Sequence, residues 1–285
     1  MQIYKPSPRT PRPEYGESVA DYIQRLRAAG IKTPSARMIK TKEQIEGCIR
    51  AGKVNSAVLD AVDAVIKEGI STEDIDRAVC DALEGLGAKS ACLGFEGYPK
   101  SVCTSLNNVI CHGIPSEKEI LREGDIINVD CTSEYGGYFG DASRMYAIGE
   151  ISQTAKRLIE VTRECVEAAV ENIRPYDSHL GDVGYYISRH ARANGFNVVR
   201  EIGGHGVGLK MHEDPFVCHR GILGSGMVLL PGMIFTVEPM VNEGSAGFYI
   251  DKRDGWTVYT EDGRLSAQIE YELLITEDGV EILSK

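Results

Sequence analysis

The chain has 285 residues, enough for one large domain or two smaller ones, and 42% of them are hydrophobic, an ordinary balance for a soluble fold. Its formal net charge of -11 at pH 7 argues against electrostatic binding of nucleic acid by the body of the protein. There is no run of about 18 apolar residues and no apolar stretch at the start, so neither a membrane span nor a secretory signal is expected, and the reading is a cytoplasmic protein without a membrane partner.

Eight cysteines, at positions 48, 80, 92, 103, 111, 131, 165 and 218, form no C-x-x-C pair. That removes zinc-ribbon and thioredoxin-like readings and points to reduced thiols, most of them buried. Residues 1 to about 16 set Pro6, Pro8, Pro11 and Pro13 among Lys5, Arg9 and Arg12, an extended, locally basic arm. Pro8-Arg9-Thr10-Pro11 fits a P-x-x-P docking pattern, against which stands a plain surface-hugging or mobile extension. Val19, Tyr22, Ile23 and Leu26 then repeat with helical period between Glu17 and Ala29, and a linker around residues 33–39 follows. Residues 1–40 therefore read as an N-terminal extension, and residues 41–285 as the body.

Thr41 to Gln44 is a capping box that opens a helix carrying Ile45, Ile49, Val54, Val58, Leu59, Val62 and Val65 as far as Gly69. Ser71 to Asp74 repeats the device for a helix ending near Gly85. Short apolar segments and turns fill residues 92–114. Helices are expected at about 152–173 and 179–193, and strands at 196–199, 233–237, 256–259 and 267–276. Two helices and strands, followed by two helices and strands, suggest an α+β fold of two similar halves sharing one antiparallel core.

Between the halves, residues 126–132 alternate: Ile127, Val129 and Cys131 share one face, and Asn128, Asp130 and Thr132 the other. Glu134 to Gly137 reads as a turn and Tyr138 onward as a returning strand. A turn centred between Tyr135 and Gly136 sets Asp130 opposite Asp141. Like charges across a ladder destabilise it, so the pair needs a shared proton or a cation. Three further segments offer metal-competent side chains: Gly203-Gly204-His205-Gly206, where the flanking residues leave the imidazole unobstructed; Glu238, at a strand end before Pro239 and on the Thr236 face; and Glu270, on the polar face with Gln268. A phosphate loop at the glycines needs a helix to start at once, and residues 210–215 are a poor helix start. One imidazole and four carboxylates, scattered over the chain, suit a two-metal site of hard oxygen ligands and hence hydrolysis.

These residues stand in motifs: C-T-S-L-N-N-V-I-C-H-G-I-P around His112, N-V-D and G-D at Asp130 and Asp141, G-G-H-G-V-G at His205, M-H-E-D-P at His212, T-V-E-P-M at Glu238 and S-A-Q-I-E at Glu270. With them the chain, over roughly residues 38–285, resembles the type I methionine aminopeptidases. Only 33 positions separate His205 from Glu238, too few for the helical insertion of type II. The resemblance implies a pita-bread fold, two pseudo-symmetric halves around a shared antiparallel sheet, with residues 41–285 as its catalytic domain. It implies removal of the initiator methionine from nascent proteins with a small second residue, through a hydroxide bridging two divalent ions (Co, Mn, Fe or Zn). By the same resemblance Asp141 and Glu270 bridge the ions, Asp130 completes one, and His205 and Glu238 complete the other. Glu238 is assigned the proton shuttle, while His112 and His212 flank the substrate. Cys92, Phe95, Tyr98, Cys103, Met211 and Trp256 are assigned the methionine pocket, with Phe95 where a tyrosine is common and Met211 where an aromatic is common. His179, His190 and His219 match no motif and are left as surface or helix residues. A monomer is expected, and the basic arm is a candidate contact for the ribosome. An Xaa-Pro aminopeptidase of the same fold and a non-catalytic binding module are the alternatives.

Overall fold

The computed structural model describes residues 10–285. Five α-helices carry the outer layers: α1 (Val19–Ala28), α2 (Lys42–Asp63), α3 (Thr72–Leu86), α4 (Gln153–Asn172) and α5 (Leu180–Ala193). The first four begin on a side-chain cap that satisfies an orphan main-chain N–H group. Thr41 and Ser71 form capping boxes with Gln44 and Asp74, and Ser18 and Ser152 accept from the N–H three residues on. Helix α2 stops at Asp63, short of the expected Gly69. The reason is tertiary, since Gly69 N–H donates to Leu121 O and Leu121 N–H to Ile70 O, which pulls the chain out of the helix.

The strand Ile126–Tyr135 and its partner Tyr138–Ala147 form the hairpin of the first half. Ile127, Val129 and Cys131 pack with Val58, Leu59 and Val62 of α2 and Ile75 and Val79 of α3. The opposite face, with Asn128, Asp130 and Thr132, turns to the interior cleft, as the alternation implied. Helix α2 lies hard against this hairpin, and a Cβ at Gly140 would stand 2.5 Å from Ala51 O. In the second half, Leu158, Val161 and Cys165 of α4 and Val183 and Ile187 of α5 cover Phe235, Val237 and Leu273. Tyr22, Ile23 and Leu26 of α1 join that same core.

The second-half sheet runs Val280–Ser284, Tyr271–Ile275, Ile234–Val237, Gly204–Gly206 and Glu213–Val217, and a bridge from Ser143 to Glu270 links it to the first hairpin. The strand expected over 267–276 is two strands, Ser266–Gln268 and Tyr271–Ile275. Met240 pairs with Gln268 and Val237 with Tyr271, one unbroken register, so Glu238 and Glu270 stand opposite each other where the ladder is interrupted. Pro239 supplies the interruption, having no N–H to give.

Of the arm, Pro6, Pro8, Lys5 and Arg9 lie outside the described residues, and with them half of the P-x-x-P pattern. From Thr10 onward the chain hugs the second half: Thr10 is buried, Tyr22 Oη donates to Pro11 O at 2.8 Å, and the Arg12 guanidinium sits 4.0 Å over the Tyr176 ring. All eight cysteines are free thiols, six of them buried. Among the described residues no helix is long and apolar enough to cross a membrane.

Candidate metal centre and substrate cleft

The hairpin turns one residue later than a turn centred between Tyr135 and Gly136 would have it, which moves every partner by two positions. Tyr135 pairs with Tyr138 across Gly136 and Gly137, whose φ angles are +61° and +83°. Two successive positive φ values are what a two-residue hairpin turn demands, and two glycines supply them at least cost. The expected facing of Asp130 and Asp141 is therefore corrected: Asp130 stands opposite Ser143, and Asp141 opposite Thr132. Both aspartates keep the cleft face and become diagonal neighbours. Thr132 Oγ1 donates to Asp141 Oδ1 at 2.9 Å, and Asp141 N–H donates to Glu272 Oε2 at 3.1 Å.

His205 reaches the same point from the second half. Glycines flank it because the strand is squeezed on both sides, rather than to leave room for a ligand. A Cβ at Gly204 would lie 2.3 Å from Thr236 O, and one at Gly206 2.1 Å from Asp214 O. The Nδ1 of His205 lies 3.0 Å from Gly206 O, which accepts a hydrogen bond from Nδ1–H and leaves the lone pair of Nε2 facing Asp141 and Glu238, each 3.6 Å away. Glu238 Oε1 accepts from Thr236 Oγ1 at 2.8 Å, and Oε2 from Gln268 Nε2 at 3.2 Å. Gln268 also donates to Asp130 Oδ2 at 3.4 Å, so one amide spans the two halves.

Ligand atoms of Asp141, His205 and Glu270 lie within 4.8 Å of one another. Asp141, Glu238 and Glu270 are 3%, 7% and 1% exposed, and no Lys or Arg among the described residues forms an ion pair with the four carboxylates. Burial, and then mutual repulsion, pushes Asp130 up to about 8, while burial pushes Asp141 up to about 7. Glu238 and Glu270 rise well above the usual carboxylate range for the same reasons. Burial holds His205 below the ordinary histidine value, so its ring is neutral. Carboxylates packed this way keep their protons to higher pH than usual unless a cation joins them. Hard oxygens with one neutral nitrogen are a donor set for divalent first-row ions, and the residues present fit a pair of them.

Beside this cluster a cavity of about 420 Å³ opens to solvent. Cys92, Tyr98 and Cys103 form its buried wall, with Met211, Trp256 and Ile114 against them. The Tyr98 and Trp256 rings meet edge to face at 5.2 Å, and Tyr98 Oη is fixed by donation to Gly113 O at 2.8 Å. Phe95 packs edge-on to His212 at 5.0 Å, and His212 edge-on to His205 at 4.3 Å. His112 comes from the first half, with its backbone at φ +58°, a strained region that bulky residues avoid. Its ring lies 6.1 Å from that of Trp256. Burial and then the neighbouring histidine depress both flanking imidazoles, His112 and His212, to about 4, so both are neutral. All thirteen site residues expected from the sequence thus line one cleft.

Residues 46–277 match the model of metallopeptidase family M24. The chain belongs to that family.

Within it, this M24 metallopeptidase is 45% identical to methionine aminopeptidase A of Synechocystis sp. over 245 residues, which cover 86% of this chain and 96% of that protein. The crystal structure of methionine aminopeptidase from Rickettsia prowazekii matches with a TM-score of 0.84 at 40% identity, covering 87% of this chain and 99% of the other. An Xaa-Pro dipeptidase from Bacillus anthracis, 23% identical with a TM-score of 0.70 and 62% covered, shares the pita-bread fold alone. Among the described residues no helix lies between His205 and Glu238, as the short spacing implied.

Three M24 histidines left outside the motifs separate in the fold. His190 sits on α5, with Nε2 2.6 Å from Glu164, and His179 is the buried N-cap of α5. His219 is neither a surface nor a helix residue: it is fully buried, and Glu238 N–H donates to its Nε2 at 3.2 Å. Burial and then His205 nearby depress it to about 3. Thr132 and Gln268 were on the cleft face of their strands, a signal that placed them without revealing their partners; nothing in the spacing pointed to His219.

Proposed function

We propose that the chain removes the N-terminal methionine from nascent proteins and peptides with a small second residue, using two divalent ions held by Asp130, Asp141, His205, Glu238 and Glu270. The observation that carries this reading is one cleft in which Asp130, the buried Asp141, Glu238 and Glu270 and a free imidazole lone pair of His205 meet an apolar wall of Cys92, Tyr98, Cys103, Met211 and Trp256. When bound, the ions supply Lewis acidity and a water acidic enough to yield a nucleophile near neutral pH, and Co, Mn, Fe and Zn all suit such ligands. Asp141 and Glu270, at the junction of the halves, would hold the ions together with Asp130, His205 and Glu238.

Glu238, held by Thr236 and Gln268, accepts the proton released during attack and passes it to the leaving amine. His212, neutral at working pH, donates its N–H to the carbonyl oxygen as negative charge develops there. His112, whose strained backbone aims it across the cleft, steadies the first amide nitrogen. Cys92, Phe95, Tyr98, Cys103, Met211 and Trp256 enclose the methionine side chain, whose flexible thioether suits an apolar wall of sulfurs and rings.

The protein should release methionine from Met-Ala-Ser and leave an Xaa-Pro peptide uncut, and His212→Ala should slow the first reaction roughly 10²–10³-fold. Cleavage of the Xaa-Pro peptide instead favours the other enzyme of this fold, and no cleavage of either, with metal bound, favours a binding module. Every proposed ligand comes from one chain, so a monomer suffices, and nascent-chain processing places the work in the cytoplasm. Residues 41–285 are the catalytic domain in this reading, and residues 1–40 an accessory extension that contacts the ribosome. Because α1 buries Tyr22, Ile23 and Leu26, truncation would disturb the core. Charge reversal at Lys5 and Arg9 is the cleaner test: ribosome co-sedimentation should fall, and unchanged co-sedimentation excludes the contact.

A further inference from the structure

His219 follows the Glu213–Val217 strand and projects inward behind the metal centre. The segment is held from outside by α5, which approaches so closely that a Cβ at Gly184 would lie 2.2 Å from Cys218 O. The imidazole takes the main-chain N–H of Glu238 through Nε2 at 3.2 Å, immediately before Pro239. A nitrogen that accepts carries no proton, so the ring is neutral with its proton on Nδ1. That Nδ1 is buried with no hydrogen-bond partner among the described residues.

A buried, unpaired N–H costs free energy, and an apolar side chain of similar size would fill the space without that cost. A role in packing alone is thus poorly served by histidine here, and the Nε2 bond is what an apolar residue could not supply. Glu238 sits where the ladder is interrupted by Pro239, so its backbone lacks the regular support that strands give one another. Its side chain is held by Thr236 and Gln268, and its backbone by His219.

We infer that His219 is a positioning residue: by accepting the Glu238 N–H it fixes the backbone from which Glu238 reaches the metal ions. It does not touch substrate. The inference rests on the proposed hydrolase reading and adds to it a residue outside every motif.

The test uses metal-free, full-length protein titrated with Mn(II), the free ion read by electron paramagnetic resonance. His219→Gln carries an amide oxygen as far as Nε2, His219→Asn only as far as Nδ1, and His219→Leu carries no acceptor. Mn(II) affinity should stay within about threefold of the parent in the Gln variant and fall by roughly 10–100-fold in the Asn and Leu variants, the range typical of outer partners of metal ligands. At saturating Mn(II), kcat for Met-Ala-Ser should follow the same order while KM holds. Asn and Leu variants that bind Mn(II) like the parent overturn the inference. So does a Gln variant as weak as the Leu variant, which assigns His219 to packing. The Gln and Asn variants differ by one methylene, so their comparison stands even if the Leu variant fails to fold. A parent protein that binds no Mn(II) and releases no methionine instead overturns the hydrolase reading itself.

Discussion

Asp141→Asn should lose turnover almost completely and yet fold, melting in its metal-free form at or above the temperature of the parent. The carboxylate is 3% exposed and lies at the junction of the two halves, with its oxygens toward His205 and Thr132. An amide has the same shape and still accepts from Thr132, so the hairpin is preserved. It carries no charge with which to hold a divalent ion, so the loss of methionine release from Met-Ala-Ser should exceed the roughly 10–100-fold typical of changes to the outer partners of metal ligands. Stability should move the other way. Asp141 raises the proton affinity of Asp130, Glu238 and Glu270, which means that its charge opposes theirs. Removing one buried like charge relieves that repulsion. Near-parent activity would sink the proposed ligand set, and a collapsed fold would show that Asp141 is needed for structure before chemistry.

The second large effect is a pH-dependent stabilisation by metal. In the metal-free protein Asp130 is pushed up to about 8 and Asp141 up to about 7, by burial first. The sign follows from linkage. Below about pH 4 these groups are protonated in both the folded and the unfolded chain, and their contribution is fully present. As pH rises toward 8, the unfolded chain gives up protons that the folded cluster retains, and stability falls by about 1.4 kcal/mol per pH unit for each proton retained. Divalent ions need the ionised carboxylates, so their affinity rises over the same interval. The melting temperature of metal-free protein should therefore decline between about pH 5 and 8, and the gap to Mn(II)-loaded protein should widen. Asp141→Asn should flatten the decline. A gap that stays constant across that interval would show that the cluster does not titrate in this way.

How much of this was legible beforehand divides along the range of the interactions involved. Caps announce themselves locally, and Thr41, Ser71 and Ser152 all open helices where expected. Alternation put Ile127, Val129 and Cys131 on one face and Asp130 on the other, because a strand's side chains must change face at each residue, and the structure turns the first face to the helices. The turn at Gly136-Gly137 was also legible, since a pair of glycines tolerates two positive φ angles that Tyr135 would resist. Centring it one residue early misplaced Asp130 by two positions along the partner strand. Helix α2 ran on to Gly69 in the sequence pattern because Val65 continues its period, and only the pairing of Ile70 with Leu121 ends it sooner.

By itself the sequence determined which side chains could bind metal, which face of each strand they occupy and, through their motifs, the family to which they belong. These properties depend on residue type and on neighbours a few positions away. The tertiary structure alone decided that Glu238 and Glu270 stand opposite at a broken ladder, that Gln268 spans the two halves, and that His219 lies buried behind them. Each of those facts joins residues separated by 19 to 138 positions, such as His219 with Glu238 and Asp130 with Gln268. No local periodicity encodes such meetings; they arise when two separately packed cores close on one cleft.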